Sequence, residues 1–379
     1  MVGNLILAAL AVLSCVLALW QHIAARRFPL HQKIPGAKNL PPVTLLKPLK
    51  GIEPDTELCL RSWFTQEYPA PRQILFGVAD LTDPVCPIVQ KLQMEFPQID
   101  AQLIHCHERL GTNAKVSSLI QLRRQAKHEL IVVSDADVFV TDDFLTQTVP
   151  LLADDQVGLV NCFYQLSTAS TPAMHWDAVA INADFWSQVL QSRTLQPINF
   201  ALGAVMLTRQ KQLAEVGGFE NLADYLADDY RLGNLIAQKG HRIELANQTV
   251  ECRSGPMTWG EVWAHQLRWS RTIRVCQPAP YFFSILSNAS LWPLLWLAVY
   301  PALNTLLITA LFLLIRLYTA AANQRRLTGK CSHVTWLWLV PVKDLLQTVI
   351  WALSFIGNHV IWRGIRYRVQ PGGKLIPEP

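Results

Sequence analysis

From Val2 to Trp20 the chain carries no charged side chain, and Arg26, Arg27 and Lys33 follow directly. At about 1.5 Å per residue such a helix crosses a hydrocarbon layer of about 30 Å, so whatever follows has to fold against a membrane. No basic leader or small-x-small cleavage site accompanies it, which favours an uncleaved anchor over residues 1–24. Basic residues on its C-terminal side place the next domain in the cytoplasm. The composition agrees: 51% of the 379 residues are hydrophobic, only 16% are charged, and 13 are Trp. The net charge of +5 comes with no long basic run, so no nucleic-acid partner is expected, and the basic residues thicken near the apolar segments, as anionic lipid favours. Eight cysteines show no C-x-x-C pair, which argues against zinc, and a cytoplasmic setting argues against disulfides.

A second charge-free stretch runs from Tyr281 to Ile315, interrupted by Pro293 and Pro301. It is too long for one simple span and reads as a transmembrane hairpin over 281–315. Residues 316–379 then read as a basic loop (Arg316, Arg325, Arg326, Lys330), an interfacial or re-entrant helix with Lys343 and Asp344 near its middle, and a basic tail (Arg363, Arg366, Arg368, Lys374).

Between the membrane segments, residues 25–257 alternate short apolar runs with helical stretches. Val43–Leu46, Ile74–Val78, Leu130–Val133 and Gly158–Cys162 have strand length, while Asp83–Phe96 and Lys115–His128 read as helices. The expectation is an α/β domain with a repeating βα sheet.

The strand Leu130–Val133 runs into Ser134-Asp135-Ala136-Asp137. Open α/β sheets bind ligands at the C-terminal ends of their strands, and in extended chain Asp135 and Asp137 share a face. Two such carboxylates suit a divalent metal, Mg²⁺ or Mn²⁺, that neutralises a diphosphate; a solvated turn is the plain alternative. Asp80 ends the strand Ile74–Val78 and is either a ligand for a base or ribose or a helix cap. Gly111-Thr112-Asn113-Ala114-Lys115 precedes a helix and offers backbone N–H groups and one ammonium to phosphate, or is an ordinary helix start. Asp228-Asp229 opens another helix, where Asp229 is either part of a helix start or a general base for an acceptor hydroxyl. Residues 258–280 read as an interfacial helix in which Trp259, Trp263 and Trp269 interleave with Arg268, Arg271 and Arg274. Arg268 there meets either a leaving diphosphate or lipid headgroups.

The ordered set Asp80, Asp135-Ala136-Asp137, Asp228-Asp229 and Arg268-Trp269 resembles the lipid-linked and processive GT-A glycosyltransferases with a D, D, D, (Q/R)xxRW signature. More closely it resembles the ceramide glucosyltransferase family, glycosyltransferase family 21. Lys47-Pro48-Leu49-Lys50-Gly51, the Gly-x-Asn-x-Lys loop at 111–115 and the ending from Trp362 to Gly373 carry that closer likeness. The resemblance implies a GT-A (Rossmann-like) nucleotide-sugar-binding domain in which Asp80, Lys115 and Asp135 contact a UDP-sugar. It also implies that Asp135 and Asp137 hold the metal, that Asp229 is the base, and that Arg268 and Trp269 close the site. His265 stands where the signature has Gln or Arg, and a full D-x-D stands where eukaryotic ceramide enzymes resemble Asp-Ser-Gly. In these respects the chain is most similar to bacterial members associated with hopanoid lipids.

The expected activity is an inverting transfer of glucose or N-acetylglucosamine from its UDP derivative to a hydroxyl of a membrane lipid, ceramide or hopanoid. Trp176, Phe185, Trp186 and Phe200 are candidates for the acceptor lining. A processive polysaccharide synthase would share the carboxylates but need more spans. A non-catalytic lipid- or carbohydrate-binding scaffold would have no need of a base at Asp229.

Overall fold

The computed structural model describes residues 1–35, 39–329, 336–362, 365–370 and 372–378; Lys330, Cys331 and Arg363 lie outside them. The strands of the central sheet are β1 (Val43–Pro48), β2 (Arg72–Val78), β3 (Asp100–His105), β4 (Leu130–Ser134), β5 (Val138–Phe139), β6 (Val157–Leu166), β7 (Val205–Arg209) and β8 (Arg242–Cys252). Their order is β3-β2-β1-β4-β7-β6-β8-β5. The first four of these are parallel, and β7 enters antiparallel to both β4 and β6.

The central strands β1 and β4 are buried on both faces because helices cover both. Leu46, Ile131 and Val133 pack with Val116, Leu119, Leu122, Leu232 and Ile236 on one side. Val43, Leu45, Leu130 and Val132 pack with Leu60, Trp63, Phe64 and Leu92 on the other. Continuous apolar runs, not strict alternation, are what a two-sided parallel sheet requires. The four strand runs expected from sequence lie within β1, β2, β4 and β6, and the expected helices shorten to Cys86–Glu95 and Ala114–Arg123.

Among the described residues two helices, Val2–Arg27 and Leu303–Thr328, are long and apolar enough to cross a membrane, and the bent pair Pro278–Ser287 with Leu291–Val299 would make a third. The segment 281–315 is arranged differently from the expected hairpin. Its second limb runs on to Thr328, because Arg316 is neutralised inside the bundle instead of ending the helix. Trp296 donates to Asn4 at 2.6 Å, and Thr309 to the carbonyl of Pro293 at 3.1 Å, tying the limbs to each other and to the first helix. Arg326, read from sequence as part of a loop, donates to the carbonyls of Ala25 and Phe28 at 2.9 and 2.6 Å. It thereby satisfies acceptors at the open end of the first helix.

The helix Leu339–Ser354 carries Lys343 and Asp344, both buried in the bundle, where the sequence reading had them marking an interfacial or re-entrant segment. Beyond it β9 (His359–Trp362), β10 (Ile365–Val369) and β11 (Leu375–Pro377) form a small antiparallel sheet. Leu226 donates to Gly373 at 3.1 Å and Leu375 to Asp224 at 2.7 Å, so this sheet is laced to the segment that precedes Asp228.

Candidate active site

β4 ends at Ser134, and Asp135, Ala136 and Asp137 form a turn into β5. The alternation that would place both carboxylates on one face therefore stops before them. Contacts from other segments hold the turn instead: among them, Asp135 N donates to the Ala204 carbonyl at 3.1 Å, and Arg253 N to the Asp137 carbonyl at 2.9 Å.

Beneath it lies Lys47 at the end of β1, with no exposed surface. Its ammonium donates to the Asp135 carbonyl at 2.5 Å and Ser134 Oγ at 3.1 Å, and stands 5.5 Å from the Trp63 ring centre. Burial pulls its pKa down to about 8. In the sequence Lys47 lies one residue past the expected strand Val43–Leu46 and stands out only within Lys47-Pro48-Leu49-Lys50-Gly51, so this role is not readable there.

Asn113 caps the helix Ala114–Arg123, its side chain accepting from Val116 N, and this sets Lys115 in the first turn. Lys115 Nζ is 2.7 Å from Asp135 Oδ1 and 3.4 Å from Asp228 Oδ2. Burial opposes its charge, but Asp135 and Asp228 outweigh burial and hold the ammonium well above its usual range. The buried Asn113 also donates to the Tyr225 carbonyl at 2.8 Å and Asp228 Oδ1 at 3.4 Å. Thr112 donates through N and Oγ1 to Asp224 at 3.0 and 2.9 Å. The loops at 111–115 and 223–229 thus form one unit. Gly111 permits it: a Cβ there would come within 2.5 Å of the Ala223 carbonyl oxygen.

Asp229 sits in the first turn of the helix Asp228–Gln238, where Tyr230 N donates to its Oδ1 at 2.8 Å. Its Oδ2 lies against Gly203, where a Cβ would approach to 2.6 Å. Burial, then the neighbouring Asp228 charge, raises its carboxyl to about 7, with Lys115 opposing. A carboxyl titrating there is suited to take a proton near neutral pH.

Asp80 stands apart, exposed after β2, its carboxylate accepting from Thr82 N at 2.8 Å, which holds it below the usual range. It shares the strand-end edge with Lys47 and Asp135 but touches neither. A cavity of 460 Å³ lined by Leu40, Pro42, His128, Leu130 and Leu152 lies at the opposite edge, away from these carboxylates.

The helix Trp259–Cys276 starts on a reciprocal cap between Thr258 and Glu261. It places His265 3.7 Å from Asp177, while the buried neighbour Gln266 donates to the same carboxylate. In the sequence Gln266 carries no signal of this contact, which joins residues 89 positions apart. Trp269 meets Tyr164, Phe185 and His265 at ring distances of 6.3, 6.2 and 4.6 Å. Tyr164, also missed, is held un-ionised by burial, with Asp229 and Asp135 adding to the effect. Arg268 is half-buried on the same helix. Arg271 and Arg274 serve the protein itself and not a lipid surface alone: Arg271 donates to the Ile356 carbonyl at 3.0 Å and to that of His359, and Arg274 to Asn358.

Of the four aromatic candidates for an acceptor lining, Trp176 and Trp186 are core residues, 1% and 0% exposed. Trp176 stacks on Trp259 at 5.8 Å. Phe185 faces Trp269 and Tyr164, and Phe200 stacks on Tyr230 at 6.2 Å.

Among the described residues no group of three or more His, Cys, Asp or Glu side chains is arranged to hold a metal. Asp135 and Asp137 nevertheless fit one whose other ligands are phosphate oxygens and water, which is how Mg²⁺ is ordinarily held. The Asp137 carboxylate has no ion pair among the described residues, and burial followed by the Asp135 charge raises it to about 6. A cation would relieve that repulsion.

The model of glycosyl transferase family 21 matches residues 6–375. The chain belongs to glycosyl transferase family 21. Within that family it is similar to ceramide glucosyltransferase 3 of Caenorhabditis elegans, 22% identical over 369 residues that cover 93% of this chain and 78% of that protein. It is also similar to the ceramide glucosyltransferase of Candida albicans, 36% identical over 118 residues that cover 28% of this chain and 22% of that one. Among solved structures it is similar to mannosyltransferase PcManGT from Pyrobaculum calidifontis in complex with GDP-Man and Mn²⁺. The TM-score is 0.51 at 20% identity, covering 91% of this chain and 98% of that one. At that identity the likeness establishes the fold, which is GT-A, for this family 21 member.

Proposed function

We propose that this family 21 enzyme transfers glucose or N-acetylglucosamine from a UDP-sugar to a hydroxyl of a membrane lipid, ceramide or a hopanoid polyol, with inversion. The observation that carries this reading is Asp229: a carboxyl raised to about 7, against Gly203 and within the field of Lys115 and Asp135. It takes the proton of the acceptor hydroxyl as that oxygen bonds to the anomeric carbon. The bond from the anomeric carbon to the diphosphate breaks, and its electron pair leaves with UDP. Lys115 and Arg268 offset the charge that develops there. Asp80 and the 111–115 loop contact the nucleoside and phosphates.

Asp135 and Asp137 would hold Mg²⁺ or Mn²⁺, whose contribution when bound is to neutralise the diphosphate. The apolar helices keep the acceptor's hydrocarbon in the membrane, and Trp269 flanks its hydroxyl, so that reaction becomes effectively intramolecular. In this reading the catalytic domain, residues 25–257 with the helix that follows, faces the cytoplasm of a bacterial inner membrane.

Mass spectrometry of lipids from cells with and without the gene tests the proposal. A lipid heavier by one hexose or one N-acetylhexosamine, found only in cells that make the protein, is expected. Identical lipid profiles, together with no consumption of any UDP-sugar by the purified protein, would refute it.

A further inference from the structure

The helical bundle buries four ionisable side chains together. Arg316, in mid-helix, donates to the two oxygens of Asp184 at 2.9 and 2.8 Å and to both oxygens of Asp344 at 2.9 Å. Lys343 bonds Asp184 and lies 2.6 Å from Asp344, and Ser290 donates to Asp344 at 2.6 Å. None of the four charged side chains is more than 7% exposed. Two cations and two anions balance, which is the condition for such groups to persist in apolar surroundings. They come from three segments far apart in sequence, so the cluster fixes where those segments stand.

Asp184 belongs to the π-helical turn Ala180–Phe185. Such turns disturb the helical ladder and recur at functional sites. Here the neighbouring elements bond to the turn. Asn323 donates to the Ala183 carbonyl at 3.2 Å and pairs with His22 of the first helix at 2.9 Å. Asn182 bonds the N–H and carbonyl of Leu166 at 2.9 and 3.0 Å, at the end of the strand that carries Tyr164. The last residue of the turn, Phe185, packs on Tyr164 at 5.8 Å and Trp269 at 6.2 Å.

We propose that the Asp184–Arg316–Lys343–Asp344 cluster is a positioning device for the lipid acceptor: it locks the π-turn so that Phe185 holds Tyr164 and Trp269 as a fixed wall beside Asp229. The proposal rests on the transferase reading above. None of the four charges touches substrate; they act through Phe185. Small displacements of a positioning wall are costly to rate, because catalysis depends on near-attack geometry.

The test is the double variant D184N/K343M, which removes one charge of each sign and keeps the Arg316–Asp344 pair. Wild type and variant, reconstituted in lipid nanodiscs, are compared for acceptor KM, donor KM and UDP release without acceptor. The acceptor KM is expected to rise about tenfold, while donor KM and acceptor-independent UDP release stay within about twofold. F185L, which leaves the cluster intact, should give the same split. A folded double variant with wild-type acceptor KM overturns the proposal, as does a parallel change in donor and acceptor constants. If the double variant is not recovered folded, F185L decides, and a wild-type acceptor KM there overturns the proposal. A wild-type protein that neither releases UDP nor transfers sugar instead overturns the transferase reading beneath it.

Discussion

Lys115 and Asp135 form an ion pair of 2.7 Å that joins the helix start after the 111–115 loop to the end of β4. The same ammonium reaches Asp228 at 3.4 Å, so one cation offsets carboxylates on two separate loops. Its removal should disturb both.

Lys115→Met should lower kcat by about 100-fold and move the acid limb of the pH–rate profile upward by on the order of one unit. The shift follows because Lys115 is the cation that opposes the raised pKa of Asp229. A pH–rate profile with an unchanged acid limb would separate Lys115 from the base.

The wild-type rate should climb through about pH 7, where Asp229 ionises, and level off above it. The sign for stability is opposite. A carboxyl with a folded pKa above its unfolded value is easier to ionise when unfolded, so stability falls as pH rises from about 4 to about 7. D229N should therefore gain thermal stability on wild type across that range and hold the gain at higher pH. Parallel melting curves for the two proteins from pH 4 to pH 8 would contradict the assignment.

Asp137→Ala should weaken metal-dependent UDP binding by about tenfold or more and leave the fold intact, since no ion pair among the described residues is lost. Calorimetric titration of UDP with and without Mn²⁺ reads this directly. An undiminished metal response would place the cation on other residues.

Gly203→Ala puts a methyl group 2.6 Å from the Asp229 oxygen. The carboxylate must shift, so kcat should fall by about tenfold or more with donor KM unchanged. Equal losses in donor KM and kcat would show that position 203 shapes the nucleotide site instead.

Much of this arrangement was legible in the chain because it depends on local patterns. β4 carries the uninterrupted apolar run Leu130–Val133, which stops just before Ser134-Asp135, and a two-sided sheet demands such a run. The pairing of β7 antiparallel between β4 and β6 was not legible, since pairing is a property of distant segments. The contacts of Lys47 and Asn113 were not legible, because their charge and amide are satisfied by atoms far along the sequence. Trp176 and Trp186, candidates for the acceptor lining by sequence, are core residues, since aromatic residues in a helical stretch mark a core equally well. By sequence Arg316 ends the charge-free stretch 281–315, and only the three-dimensional placement of Asp184 and Asp344 explains why the helix runs through it.

The most direct test of the central claim is sugar transfer by wild type and D229N, side by side, with purified UDP-sugars and extracted membrane lipid, alongside UDP binding by both proteins. The account predicts glycolipid from wild type alone, with UDP bound comparably by both. Substantial transfer by D229N, with UDP binding retained, would contradict Asp229 as the base on which the proposed mechanism depends.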